Sequence, residues 1–133
     1  MQNITITSMY AAVLGIILLL LSIRVVAVIR AKGSVLYGDG NNPDFTPVLR
    51  GQQNFIEYVP MILILMAFAE AGGSSANWIH GMGATLVIAR VIHPFGLTRI
   101  AGVNPLRFIG TNLTWIVLLV ASVLILINRF GGA

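Results

Sequence analysis

Three polar or charged side chains share one face of an apolar segment. Arg50, Asn54 and Glu57 occupy positions i, i+4 and i+7, the spacing of one helix face. Arg50 and Glu57 are about 10.5 Å apart along a helix axis, whereas ion pairs within a helix join residues three or four apart. We therefore predict that each needs a partner on another helix, another subunit or a ligand. A ligand with an anion and an ammonium about 10 Å apart, the length of an extended tripeptide, would satisfy both.

Three further ionisable groups lie near the same depth in other apolar segments. Arg24 lies in the first segment, and Arg90 and His93 lie in the third. An ionisable group inside a bilayer is costly unless it is paired, so each is a functional candidate. Each also has a structural interpretation. Arg24 can extend its guanidinium to the headgroups, and His93 can be a hydrogen-bonded packing residue. Arg90 can pair with Glu57 as a tie between helices.

The composition is that of a membrane protein. Apolar residues make up 57% of the 133 residues, charged residues only 9%, and the mean hydropathy is +0.92. A soluble domain carries about a quarter charged residues, so this surface would not stay solvated. The eight Lys and Arg residues are scattered singly, which argues against a nucleic-acid partner. The lipid bilayer is the expected environment.

Several classes of catalytic site are excluded by the residues themselves. The chain has no cysteine, so it has no disulfide framework, no thiolate metal site and no cysteine nucleophile. No metal-ligand spacing, serine triad or glycine-rich phosphate loop is present, and we expect no metal. Glu57 alone gives no acid–base pair. An enzyme built on these residues would therefore activate a substrate that brings its own nucleophile.

Four apolar segments predict an all-α membrane protein, a bundle of four transmembrane helices in a single domain spanning residues 1–133. Each segment has about 20 or more residues, enough to cross the hydrocarbon as a helix. Thr46 and Asn104 precede prolines and are predicted to cap their helices, and Ser75 is predicted to cap another. The predicted helices cover residues 9–30, 47–71, 76–97 and 105–128.

The distribution of Lys and Arg predicts the orientation. Arg30 and Lys32 lie in the first loop, and Arg99 and Arg107 flank the third. The positive-inside rule therefore places loops one and three in the cytoplasm and both termini outside. Short loops and the lack of a targeting signal favour a bacterial inner membrane, while an internal eukaryotic membrane stays open.

The other polar and small residues of the spans have simpler interpretations. Glu70 and His80 lie toward the outer face, and we expect no chemical role for them. A stripe of small residues on the third helix predicts close helix packing, and it consists of Gly81, Thr85 and Ala89. Trp78 and Trp115 are interpreted as ordinary membrane aromatics.

Two sequence runs resemble signatures of the MAPEG family, the membrane-associated proteins in eicosanoid and glutathione metabolism. The run from Arg50 to Pro60 (RGQQNFIEYVP) is similar to the family's helix-two signature, R-x-x-x-N-x-x-E-x-x-P. The run from Ala89 to Gly96 (ARVIHPFG) resembles its helix-three motif, an arginine followed by Tyr or His and a glycine. Chain length, four spans and a long first loop agree, so the resemblance covers the whole chain.

The resemblance implies a homotrimer with glutathione, as co-substrate, bound between adjacent subunits near the cytosolic face. It implies that Arg50 meets a glutathione carboxylate and that Glu57 holds the γ-glutamyl ammonium. It also implies that Asn54 and Tyr58 hydrogen-bond the peptide, and that Arg30 faces the neighbouring subunit's site. The remaining residues of the implied glutathione-binding set are Gln53, Arg90 and His93.

The implied reaction depends on the thiolate of glutathione, which an arginine near the thiol favours. The thiolate would attack a hydrophobic electrophile or a lipid hydroperoxide, as in glutathione transferases and peroxidases of the microsomal type. Where family enzymes have a second tyrosine after the helix-three glycine, this chain has Leu97. Where the best-known synthases have the thiol-activating arginine it has Asn104, with Arg99 and Arg107 as substitutes.

Two other functions stay open. A non-catalytic lipid-binding or scaffold protein on the same fold is favoured by Leu97 and Asn104. A small multidrug or proton-coupled transporter is a further four-span class. Those transporters place an essential carboxylate in the first span, where this chain has Arg24 and no acid.

Overall fold

Four long α-helices form the protein. The computed structural model describes residues 3–32, 40–97 and 104–131. The helices are α1 (Thr5–Lys32), α2 (Phe45–Ala71), α3 (Ala76–Phe95) and α4 (Pro105–Phe130), and no strand occurs in those ranges. The predicted fold class, an all-α membrane protein built as a four-helix bundle, is confirmed.

The helices differ in how apolar they are. By length and composition, α1, α2 and α4 can each cross a membrane. The 20 residues of α3 give it a length of about 30 Å, but it is not among the three helices that are apolar enough by composition. Two of its polar residues, Arg90 and His93, are 0% and 2% exposed and face the interior of the bundle rather than lipid. Burial against the other helices therefore allows α3 to hold charged side chains at membrane depth.

Apolar packing places α2 and α3 at the centre of the bundle. Both α1 and α4 pack against α2 and α3, and α2 and α3 also contact each other. Buried apolar side chains from all four helices form one core, including Leu14, Phe55, Ile62, Leu86 and Val117. The outward faces are also apolar, as with Leu19 and Phe68 at 58% and 63% exposure, and suit a lipid surface.

Of the three predicted side-chain caps, the one at Asn104 forms, and those at Thr46 and Ser75 do not. Asn104 caps α4 as predicted, because its Oδ1 accepts a hydrogen bond from the Leu106 N–H at 3.0 Å. Thr46 does not cap α2, since that helix begins one residue earlier, at Phe45. Ser75 lies at the N-cap of α3, but its side chain accepts no capping hydrogen bond; there the Ser75 carbonyl accepts from the helix instead.

Close packing of α3 involves only part of the predicted stripe of small residues. Gly81 is exposed, and a Cβ added there would meet no atom within 4 Å, so its assignment to the packing face was wrong. The close contact lies at Ala89, which is buried. There Gly110 of α4 comes so near that an added Cβ would lie 2.8 Å from His93 Cβ and 3.0 Å from the Ala89 carbonyl oxygen. The missing side chain of Gly110 therefore allows α3 and α4 to pack closely at this point.

The other end of the bundle is held by hydrogen bonds between helix ends. The Glu70 carboxylate, near the end of α2, accepts from the N–H groups of Ile6 and Thr7 at 2.8 and 2.7 Å. Those N–H groups lie in the first turn of α1, which has no intrahelical acceptor for them. On α3, His80 Nδ1 lies 3.1 Å from the Tyr10 hydroxyl. Glu70 and His80 thus have structural partners that the sequence did not indicate.

We expect Glu70→Ala to destabilise the docking of α1. Two first-turn N–H groups would lose a charged acceptor, and loss of a helix cap costs about 0.5–2 kcal/mol. The thermal melting temperature of the detergent-purified protein measures the effect. Glu70→Gln, which keeps one acceptor oxygen, should lose less. Equal melting temperatures for the wild type and the alanine variant would contradict the capping role.

Candidate functional site

One cavity gathers most of the polar side chains singled out from the sequence. It has a volume of about 520 Å³ and lies where the start of α2, the end of α3 and the start of α4 meet. Its walls therefore come from three helices, with residues Thr46, Pro47, Arg50, Asn54, Glu57, Tyr58, His93, Leu97, Arg107, Thr111 and Trp115.

The wall from α2 consists of the predicted helix face. Arg50, Asn54, Glu57 and Tyr58 all line the cavity. They do so because the opposite face of α2 is apolar and buried in the core, as at Phe55 with 2% exposure. The 3.6-residue period then turns positions i, i+4, i+7 and i+8 toward the cavity.

Arg50 and Glu57 form an ion pair with each other, so the prediction that neither finds a partner on its own helix was wrong. Arg50 Nη1 lies 3.3 Å from Glu57 Oε1, and it also donates to Gln53 Oε1 at 3.2 Å. The axial rise of about 10.5 Å separates the backbones, and the two long side chains extend toward each other across it. Gln53 itself is exposed and does not line the cavity.

The wall from α4 was only partly predicted. Arg107, Thr111 and Trp115 line the cavity at intervals of four residues. Trp115, interpreted from the sequence as an ordinary membrane aromatic, stacks at a tilt on Tyr58 with ring centroids 6.5 Å apart. The signal that could have identified this wall is the four-residue interval that begins at Arg107. The Tyr58–Trp115 pair borders the charged side chains of the cavity.

The third wall of the cavity contains His93, from α3, and Leu97, from the segment that follows α3. His93 is 2% exposed, and Gly110 of α4 packs directly against it. Its Nδ1 has no hydrogen-bond partner among the described residues. The buried imidazole thus lies in the cavity wall with hydrogen-bonding capacity to spare.

Arg90 lies behind the cavity wall rather than in it. The residue is 0% exposed, and its Nη1 donates to Asn54 Oδ1 at 2.9 Å and to Thr114 Oγ1 at 3.2 Å. Its guanidinium carbon also lies 5.7 Å from the centroid of the Phe55 ring. A tie between α2 and α3, the structural alternative for Arg90, exists, but Arg90 makes it with Asn54 rather than with Glu57.

Besides Gln53 and Arg90, two further predicted site residues are not among those that line this cavity. Arg30 is exposed on α1 and borders a separate groove of about 360 Å³ with Ser22, Ile23, Val26 and Ala27. Arg99 lies outside the described residues. Of the two arginines that could stabilise a thiolate, Arg107 lines the cavity.

The cavity has the chemistry of an organic-ligand site. Among the described residues, no group of three or more His, Cys, Asp or Glu side chains comes together to hold a metal ion. The cavity offers two guanidinium groups, from Arg50 and Arg107, and one carboxylate, from Glu57. Such a set matches a ligand with two anionic groups and one cationic group. The Tyr58–Trp115 pair adds an apolar surface beside it.

The fold and the site define a class of protein: a four-helix integral membrane protein with a polar cavity at one end of the bundle. Residues 7–127 match the MAPEG family, and the chain belongs to that family. It is 30% identical over 114 residues to the inner membrane protein YecN of Escherichia coli strain K12. The matched region covers 86% of this chain and 85% of YecN. YecN of the Escherichia coli O6:H1 strain matches with the same identity and coverage.

Proposed function

We propose that this protein binds glutathione in the cavity between α2, α3 and α4 and activates its thiol. The observation that carries the proposal is the placement of Arg50, Arg107 and Glu57 around one cavity. The thiolate form of glutathione matches these three side chains: a carboxylate fits Arg50, the ammonium fits Glu57, and the sulfur anion fits Arg107. The cavity volume of about 520 Å³ also falls within the range of about 300–1,000 Å³ typical of small-molecule sites.

The Arg50–Glu57 ion pair is compatible with binding, because a ligand can exchange it. Both side chains are half exposed, at 50% and 49%, and an exposed ion pair contributes only about 0.2–1 kcal/mol. A zwitterionic ligand replaces one pair with two, because a carboxylate takes Arg50 and an ammonium takes Glu57. We therefore interpret the ion pair as the resting arrangement of the ligand-binding residues.

The reaction that we propose is attack by the bound thiolate. The Arg107 guanidinium favours the thiolate over the thiol. The sulfur then displaces a leaving group X⁻ from a hydrophobic electrophile, giving a thioether and HX. With a lipid hydroperoxide, two molecules of glutathione give the alcohol, water and glutathione disulfide. The aromatic surface of Tyr58 and Trp115 beside the charged groups suits an apolar second substrate arriving from the bilayer.

The proposal includes a homotrimer in a bacterial inner membrane. The family resemblance assigns Arg30 to the site of the neighbouring subunit. Arg30 lies on the outer face of α1, away from the cavity of its own chain, so a second copy would have to bring it there. The inner membrane is the location that the name of the relative YecN gives for that protein. The cytoplasmic position of loops one and three stays a prediction.

A second candidate function is binding without turnover, as in a lipid-binding or scaffold protein. Two observations favour it. Leu97 contributes an apolar side chain to the cavity where family enzymes have a tyrosine. The Asn104 side chain, at the position of the thiol-activating arginine, is engaged in capping α4. Glutathione binding with no reaction toward any electrophile or hydroperoxide would select this candidate.

Binding is tested with Arg50→Ala and Glu57→Ala. Each variant loses a charged hydrogen-bond partner of the ligand, worth about 1.5–3 kcal/mol, so we expect affinity for glutathione to fall by about tenfold to a hundredfold. Calorimetric titration of the detergent-purified protein measures it. Arg24→Ala is the matched control, since it removes an exposed arginine that does not line the cavity. Unchanged affinity in both site variants would overturn the proposed site.

A further inference from the structure

We propose that Arg90 is a positioning residue that fixes the side-chain amide of Asn54, so that the cavity presents a hydrogen-bond donor at its centre. The ligand must then carry an acceptor, such as a peptide carbonyl, between its anionic and cationic ends. The inference deepens the proposed function and rests on it where it names glutathione.

The orientation of the amide follows from the chemistry of its neighbour. A guanidinium has only donors, so the Asn54 atom that faces Arg90 Nη1 at 2.9 Å must be the oxygen. The two ends of an asparagine amide are otherwise interchangeable in shape, and their assignment depends on such a neighbour. With Oδ1 engaged by Arg90, Nδ2 points away from it. Asn54 lines the cavity, and Nδ2 makes no hydrogen bond to a described residue.

Arg90 is buried behind the cavity wall and reaches the cavity through Asn54. The residue is fully buried, and Thr114 accepts a second hydrogen bond from it at 3.2 Å while donating to the Gly110 carbonyl at 2.8 Å. The Phe55 ring lies 5.7 Å from its guanidinium carbon. Arg90 is not among the residues that line this cavity, so its guanidinium is not placed to contact a ligand there. Its effect on recognition is the direction in which the Asn54 amide points.

The position of Asn54 defines where the ligand acceptor lies. Asn54 is one helical turn from Arg50 and slightly less than one turn from Glu57, about 6 and 4.5 Å along the axis. A ligand whose anion meets Arg50 and whose ammonium meets Glu57 therefore places its middle beside Asn54 Nδ2. In a short peptide that part carries a backbone carbonyl. A ligand without an acceptor at that position would leave the donor unpaired, which disfavours it.

The substitution that tests this is Asn54→Asp. Aspartate has nearly the shape of asparagine, but it offers only acceptors. Arg90 gains a counter-ion, so the melting temperature should not fall. The cavity donor is replaced by an acceptor, so affinity for glutathione should fall by about tenfold or more. Stability and affinity then move in different directions, which a merely structural role of Asn54 would not produce.

The control is Asn128→Asp, which makes the same charge change at a residue that hydrogen-bonds Ser74 at the other end of the bundle and does not line the cavity. We expect its glutathione affinity to match that of the wild type. An Asn54→Asp variant that binds glutathione as tightly as the wild type would overturn the inference alone. A wild-type protein that binds no glutathione would overturn the proposed function, and this inference with it.

Discussion

Replacing Arg107 with alanine is expected to lower the rate of reaction of bound glutathione by about a hundredfold or more, the usual effect of removing one preorganised group that stabilises a developing anion. Arg107 lies in the first turn of α4 and lines the cavity beside Thr111. Removing its guanidinium removes the positive charge that we assign to the thiolate. Glutathione should still bind through Arg50 and Glu57, so the loss should appear mainly in kcat.

Two measurements separate ionisation of the bound thiol from turnover. The ultraviolet absorbance of the thiolate on mixing with glutathione reports ionisation, and conjugation of chlorodinitrobenzene reports turnover. Arg107→Lys keeps a cation and should retain part of both signals. Arg99→Ala tests the other candidate arginine. If Arg99→Ala abolishes the thiolate signal while Arg107→Ala leaves it intact, the assignment to Arg107 is wrong.

The architecture could be predicted because it depends on local sequence. Four long apolar stretches must be satisfied as helices in a bilayer, and helical period alone places Arg50, Asn54 and Glu57 on one face. Asn104 before a proline is a local capping signal, and the structure has that cap. In each case the residues that determine the helix, the helix face or the cap lie close together in the sequence, so the sequence is sufficient to predict it.

The ion pair within α2 shows where spacing arguments fail. The distance between positions i and i+7 is a backbone distance, but Arg50 and Glu57 meet at the ends of their side chains. The usual limit of three or four residues describes pairs that stand side by side on a helix. It does not exclude two long side chains that extend toward each other along the axis. The prediction of separate partners therefore excluded a contact that the side chains can make.

The remaining misses concern contacts between helices, which no local pattern encodes. Depth in the membrane was enough to place Arg90 near Glu57 and Asn54, but the rotation of α3 selects Asn54 as its partner. Likewise, Glu70 became a cap for α1 only because the bundle brings the end of α2 to the start of α1. The four-residue interval from Arg107 puts Trp115 on one face of α4, but the rotation of α4 decides that this face meets the cavity. These features depend on how the helices pack.

The site depends on close packing of α3 against α4, and Gly110→Ala is expected to disrupt it. An added Cβ would lie 2.8 Å from His93 Cβ and 3.0 Å from the Ala89 carbonyl oxygen. The latter belongs to helix backbone and cannot move aside without shifting α3. Overpacking of this kind costs about 1–3 kcal/mol. Because Arg107 and His93 line the same cavity from the two helices, we expect glutathione affinity to fall together with the melting temperature.

Gly81→Ala is the matched control, and it should have the opposite sign. Gly81 lies within α3, is exposed, and has no atom within 4 Å of the position that a Cβ would take. Alanine there gains about 0.5–1 kcal/mol of helix propensity over glycine, so the melting temperature should rise or stay the same, with glutathione affinity unchanged. Propensity alone would make both substitutions stabilising, whereas the α3–α4 contact makes only Gly110→Ala harmful. If the two variants shift the melting temperature alike, the distance between α3 and α4 does not depend on Gly110.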